Sequence, residues 1–318
     1  MEAVVLSCDT AAGRLTLTDK SGLSSYRRRG AVVTGRGPLA AVQCEAGGEV
    51  FVSVSVGEEI FVVDASASAV TGRIRAGWAP RSLTPVPGTP YLLVANAGAD
   101  SVSVIDTQER AEAARIAVGR EPGQIAVTEG GALALVCERG EAAVTVLDLS
   151  PLARGRPGRI SVAARTRLGA HIQPRAAAVS EGFALVTAAR SDRLFVLRLD
   201  GTGIETTLPL PVKDACPAGA AVLGEGGYAL VALERAGSLA VIDLLEWTLT
   251  RQIPVGAGPR GITIDPADRT VYCALAHESA VAVVHLDGVD LSNTDGHPQH
   301  ETIPAGPRPT AVALAHGL

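Results

Sequence analysis

Aromatic side chains are scarce in this chain: Phe, Trp and Tyr together make up 3% of it, beside a single methionine. A core without large rings must come from many small contacts, and 47% hydrophobic residues supply Val, Ala, Leu and Ile for it. No apolar run approaches the ~18 residues that a membrane helix needs, so no membrane partner is expected. The start, Met1-Glu2-Ala3, has no basic stretch leading into an apolar one. That pattern is not a secretory leader, and a cytoplasmic location is expected. Cys8, Cys44, Cys137, Cys216 and Cys273 are odd in number and show no C-x-x-C spacing. They argue against a complete disulfide framework and for a reducing compartment. Two lysines stand against 26 arginines, a skew of composition that is not read as arginine chemistry.

Familiar catalytic signatures are missing too. There is no G-x-S-x-G, no H-E-x-x-H and no Walker loop. Gly256-Ala257-Gly258-Pro259-Arg260-Gly261 matches G-x-G-x-x-G by letter. A dinucleotide site needs a helix after that turn, whereas Ile262-Thr263-Ile264-Asp265 reads as a strand. Asp295, His297 and His300 lie together without any cysteine at zinc spacing, so no metal site is assigned. Arg154, Arg156, Arg159, Arg165 and Arg167 lack interleaved aromatics in a chain of net charge −5. A solvated outer strand is the better reading, and nucleic acid is not the expected partner.

What is abundant is a repeat. Pro38, Pro80, Pro122, Pro174, Pro217, Pro259 and Pro309 each precede a short apolar run, at intervals of 42, 42, 52, 43, 42 and 50 residues. That is the period of a propeller blade. Between Pro80 and Pro122 lie four β-rich segments: Leu83–Val86, Tyr91–Asn96, Ser101–Asp106 and Ala114–Val118, separated by turn residues. The unit returns around Ala132–Cys137 and Val271–Leu275. The last repeat holds only one strand, Ala311–Ala315, while Ala3–Ser7, Arg14–Thr18 and a strand near Ala31–Val33 open the chain. These complete one blade between the two ends. The expectation is all-β: a seven-bladed β-propeller of four antiparallel strands per blade, residues 1–318 forming one domain.

Leu93-Val94-Ala95-Asn96 followed by Val102-Ser103-Val104-Ile105-Asp106 resembles the YVTN-type β-propeller repeat family, and Val255-Gly256-Ala257-Gly258-Pro259 supports the likeness. The resemblance covers nearly the whole chain and implies a fold more than a chemistry. Related propellers include surface-layer proteins, electron-transfer subunits, phosphogluconolactonase-like hydrolases and streptogramin lyases. The chain departs from the consensus at the motif Asn, which survives only as Asn96; Asp9, Glu138 and Glu234 or His277 stand at the matching positions, allowing small shifts. WD40 repeats fit poorly, because neither Trp78 nor Trp247 sits in a W-D pair.

Ligand sites favour the mouth of such a channel, where several loops converge. The loops leading into the innermost strands offer Trp78, Arg81, Gln124, His171, Arg175 and Arg260; those after the second strands offer Asn96, Glu138, Arg139, Glu234, His277 and Glu278. Arg81, Arg175 and Arg260 each follow a blade proline directly, so their guanidiniums are expected to face one axis. Like charges converging there need a carboxylate ring, with Glu138, Glu234 and Glu278 as partners, or an anionic ligand. Two readings stay open. One is a cofactor-independent lyase, hydrolase or isomerase on a small anionic molecule. In it His277 or His171, aided by Glu278 or Glu138, moves protons, and Arg81, Arg175, Arg260, Gln124, Trp78, Asn96 and Glu234 bind the substrate. The other is a non-catalytic scaffold that takes a protein or metabolite on its rim loops.

Overall fold

The computed structural model describes every residue except 1, 2, 23, 45–47, 181, 201, 202, 211, 212, 214, 225, 226, 293–297 and 318. Asp295 and His297 therefore lie outside the described residues. Among those described, 28 strands, numbered β1 to β28 along the chain, form seven four-stranded antiparallel sheets. Each sheet is one blade of a seven-bladed β-propeller.

The repeat shows its logic in the blade of β8 (Pro80–Pro85), β9 (Tyr91–Asn96), β10 (Ser101–Asp106) and β11 (Ala111–Ala117). Strands β9 and β10 are buried along almost their whole length, because neighbouring blades cover both faces. Strand β11 is the outer one and is largely exposed. It begins three residues before the segment expected from hydrophobicity. The Asp106 carboxylate accepts from the N–H groups of Gln108 and Glu109 at 3.0 Å. This Asx turn reverses the chain within four residues and lets pairing resume at Ala111. Asp243 does the same for Leu245 and Glu246 in another blade. In the longer fourth repeat, 3₁₀ turns at Leu152–Arg154 and Pro157–Arg159 fill the added length, and only Ser161–Arg167 of the arginine-rich segment is outer strand.

Ring closure follows the expected plan. Strand β28 (Pro309–His316) pairs with β1 (Ala3–Asp9), which continues to β2 (Arg14–Lys20) and β3 (Tyr26–Val33). Val4, Leu6 and Cys8 of this shared blade pack with Val50 and Val52 of the next one. On its other side Val5 packs with Tyr272, Val281 and Val283 of the last. A polar clasp adds to these contacts: Lys20 Nζ, 5% exposed, donates to Asp265 at 2.9 Å and Asp268 at 2.6 Å. Burial works against the ammonium, but these carboxylates outweigh it and hold its pKa above the usual value.

Each innermost strand opens at its blade proline: β4 (Pro38–Gln43), β8, β12 (Pro122–Val127), β16 (Gln173–Ser180, with Pro174), β20 (Pro217–Val222), β24 (Pro259–Asp265) and β28. Proline has no N–H to leave unpaired at a strand start. Directly after every one of these prolines the register slips, leaving one or two residues out of the ladder. Such bulges bend a strand and re-aim side chains.

Candidate functional site

The residues freed by these bulges form a ring around the central channel. They are Thr310, Leu39, Arg81, Gly123 with Gln124, Arg175, Ala218 with Gly219, and Arg260 with Gly261. All of them line one cavity of about 300 Å³, to which Arg139 also contributes. The floor admits no larger side chain in places: a Cβ on Gly219 would lie 2.2 Å from the carbonyl oxygen of Arg260. Arg81 is pinned through its own carbonyl, which accepts from Ser53 Oγ of the preceding blade at 3.2 Å.

Four guanidiniums thus face the channel, and one carboxylate is bonded to them. Glu234 Oε2 accepts from Arg175 Nη1 at 2.7 Å, and Oε1 accepts from Arg260 Nε at 3.1 Å and Nη2 at 2.5 Å. Burial opposes ionisation of Glu234, yet the two arginines outweigh it and hold its pKa below the usual carboxylate value. Among the described residues, Arg81 and Arg139 have no ion pair within 4 Å. Burial, with Arg139 and Arg175 adding repulsion, pushes Arg81 down to about 10, against a partial pull from Glu121. Arg139 is lowered likewise, burial first and Arg175 second, against a partial pull from Glu121. Among the described residues, one carboxylate thus bonds two of the four guanidiniums, and Glu121 acts on the other two only from beyond ion-pair distance.

Of the expected channel residues, the structure brings Arg81, Arg175, Arg260, Gln124 and Glu234 together. The carboxylate ring around them does not form, because Glu138 and Glu278 point elsewhere. Glu138 is fully buried between blades. It accepts from the Gly119 N–H at 2.7 Å, from the Thr145 hydroxyl, and from Arg165 Nε at 2.8 Å on the outer strand. Asn96 accepts from the Gly77 N–H at 3.1 Å, and Asp9 from the Gly306 N–H at 3.0 Å. Gly77, Gly119 and Gly306 each stand three residues before a blade proline. The motif residue is thus a structural acceptor for the loop that leads into the blade, and Asn, Asp and Glu all serve. Glu278 acts likewise on the Ala257 N–H from the exposed rim.

The register also moves two assignments. Pro80, Pro122, Pro217 and Pro259 pair with Asn96, Glu138, Leu233 and Leu275, and Pro309 pairs with Asp9. The consensus position is therefore Leu233 where Glu234 was expected, and Leu275 where His277 was expected. Glu234 sits one residue further on, at the position Arg139 holds in its own blade. At that position Arg139 lines the channel cavity and Glu234 bonds two of its arginines, which sequence reading missed for Arg139 because it looked like any other rim arginine. A repeat alignment keyed on the proline partner would have found it.

The histidines lie apart from one another. His277 is exposed on the rim, its ring against Gly258, and does not line the channel. His171, at φ 65°, lines a second groove that shares Arg139 with the channel. Trp78 is 52% exposed and lies over Gly98, away from the cavity lining. One group absent from the expected set joins the cluster: Cys216, held at φ 52° before Pro217, places Sγ 3.4 Å from Arg175 Nη1 and 3.8 Å from Glu234 Oε2. Among the described residues no three His, Cys, Asp or Glu side chains stand close enough to share a metal ion. No described helix is long and apolar enough to cross a membrane.

No family model and no curated protein sequence matches this chain. Solved structures do. A candidate 6-phosphogluconolactonase of Bacteroides fragilis superposes with a TM-score of 0.82 at 14% identity, covering 99% of this chain and 98% of that one. One from Bacteroides uniformis gives 0.80 at 15% identity over 99% of both chains. The hydrazine synthase of Kuenenia stuttgartiensis gives 0.71 at 18% identity, over 86% of this chain and 88% of that one. At such identities the likeness is one of fold: this chain shares the propeller architecture of structures that include candidate lactonases.

Proposed function

We propose that this protein is a lactonase-like hydrolase that takes a small anionic substrate into the central channel. The observation that carries the reading is the charge mismatch there: among the described residues, four guanidiniums face one bonded carboxylate, and Arg81 and Arg139 have no ion pair within 4 Å. A carboxylate or phosphate between Arg81 and Arg139 would supply the missing charge through bidentate hydrogen bonds. The shape similarity to candidate 6-phosphogluconolactonases supports the reaction class and nothing finer.

Hydrolysis of a lactone in this site needs three things. A water must lose a proton as its oxygen attacks the ring carbonyl; the imidazole of His171, in the groove that shares Arg139 with the channel, is the group assigned to accept it. The carbonyl π pair moves onto oxygen, and a fixed guanidinium stabilises that charge as it develops. Collapse then expels the ring oxygen, which takes up a proton to give the hydroxy acid. Glu234 is a poor base, since two arginines hold it ionised. Its role is to fix Arg175 and Arg260 in place.

A second reading, sequestration of an anion without turnover, is favoured by the absence, among the described residues, of any His–carboxylate pair lining the cavity. The two are separated by experiment. Inorganic phosphate binding followed by calorimetry, alongside pH-stat hydrolysis of phosphorylated and unmodified sugar-acid lactones, is measured on wild type, Arg81→Met and His171→Asn. Hydrolysis lost in both variants, with phosphate binding lost only in Arg81→Met, supports the enzyme. Phosphate binding with no turnover of any lactone supports sequestration, and no phosphate binding overturns the channel site.

A further inference from the structure

The second groove lies between the fourth and fifth blades, with a volume of about 760 Å³ against about 300 Å³ for the channel cavity. Its lining is rich in arginine, with Arg120, Arg167 and Arg190 exposed at its edges. Arg120, Arg139, Arg167 and Arg190 all line it, opposed by Glu121 and Glu141. Glu141 is already committed to Arg165, with Arg120 at 3.6 Å on its other oxygen. Among the described residues, Arg167 and Arg190 have no carboxylate within 4 Å. Arg190 is held at φ 62°, a backbone state that a non-glycine residue adopts at some strain. The groove adjoins the channel cavity, and Arg139 lines both.

Building on the channel reading above, we propose that the groove is a second anion subsite and that the natural ligand is an elongated small molecule with an anionic group at each end. One end sits between Arg81 and Arg139. The other reaches Arg167 and Arg190, and the middle passes His171, which lines the same groove. A one-ended anion would leave the outer pair unmatched, just as the channel pair is unmatched without a ligand. Among the described residues no aromatic side chain lines the groove, which gives a strand's bases no stacking platform there.

Condensed phosphates test this without knowledge of the natural ligand. Calorimetric titration with inorganic phosphate, pyrophosphate and tripolyphosphate is run on wild type, Arg167→Ala/Arg190→Ala and Arg81→Met. Arg154→Ala/Arg156→Ala, on the outside of the propeller, serves as the charge control, and circular dichroism checks that each variant is folded. Tripolyphosphate should bind wild type and the control at least tenfold more tightly than phosphate. In Arg167→Ala/Arg190→Ala that advantage should fall below about threefold while phosphate affinity stays the same, and Arg81→Met should lose both ions. An advantage that survives in Arg167→Ala/Arg190→Ala, or that falls equally in the outer control, overturns the second subsite and leaves the channel site standing. Loss of phosphate binding already in wild type overturns the channel reading and the extension with it. Tighter binding of a ten-residue oligothymidylate than of tripolyphosphate, abolished by the same double substitution, overturns the small-molecule ligand in favour of a strand.

Discussion

Replacing Arg81 with methionine is expected to stabilise the unliganded protein while it weakens anion binding. Burial and the neighbouring Arg139 and Arg175 push Arg81 down to about 10, so the fold holds its charged form at a cost. That cost is present at every pH below about 10 and fades only as the proton is lost, so neutral pH measures it in full. At about 1.4 kcal/mol per pH unit the depression corresponds to roughly 3 kcal/mol. The side chain is partly open to the channel, where solvent screens it, and about 1 to 2 kcal/mol remains. Methionine keeps most of the stem's packing and removes the charge. The net gain should be about 1 kcal/mol, a melting point about 2 °C higher for a chain of this size. Phosphate at a hundred times its dissociation constant should add about 2.7 kcal/mol to wild type and far less to the variant. Differential scanning calorimetry with and without phosphate should therefore show the two melting points in opposite order. A variant that melts below wild type without phosphate, or that gains as much from phosphate, would refute the unmatched-charge argument.

Glu234→Gln removes the one carboxylate bonded to the channel arginines, so phosphate affinity by calorimetry should rise severalfold while the unliganded melting point falls. Glu138→Ala should cost about 3 kcal/mol in urea denaturation, because it leaves the Gly119 N–H, Thr145 and Arg165 without their buried acceptor, yet phosphate affinity should not change. Cys8, Cys44, Cys137 and Cys273 are buried, and burial pushes the thiols of Cys137 and Cys273 up to about 12. Ellman's reagent should therefore modify one thiol per native chain, Cys216, and phosphate in the channel should slow that reaction. Ending the chain after Arg308 removes β28, exposes the edge of β1 and should abolish the cooperative melting transition; calorimetry showing only a lower midpoint would contradict closure by that strand.

The proline spacing carried the architecture because every inner strand opens at a proline, which fits a strand start since it leaves no N–H unpaired. The shared closing blade was legible for a related reason: a single terminal strand has no ladder of its own. The channel side chains were partly legible, since Arg81, Arg175 and Arg260 recur directly after the proline. What spacing could not show was the bulge at that point, which turns those side chains inward. It also could not tell positions one residue apart, so Glu138 was read as facing the channel although it is buried between blades and Arg139 faces the cavity. Cys216 carries no repeat signal at all. Its place beside Arg175 and Glu234 depends on how two adjacent blades pack.

The most direct measurement is a crystal structure of the protein soaked in selenate, with the anion located by its anomalous scattering. The unmatched charges predict a peak between the guanidiniums of Arg81 and Arg139, within about 3 Å of nitrogen atoms of both. An empty channel, with peaks only on outer-strand arginines such as Arg27 and Arg28, would contradict it.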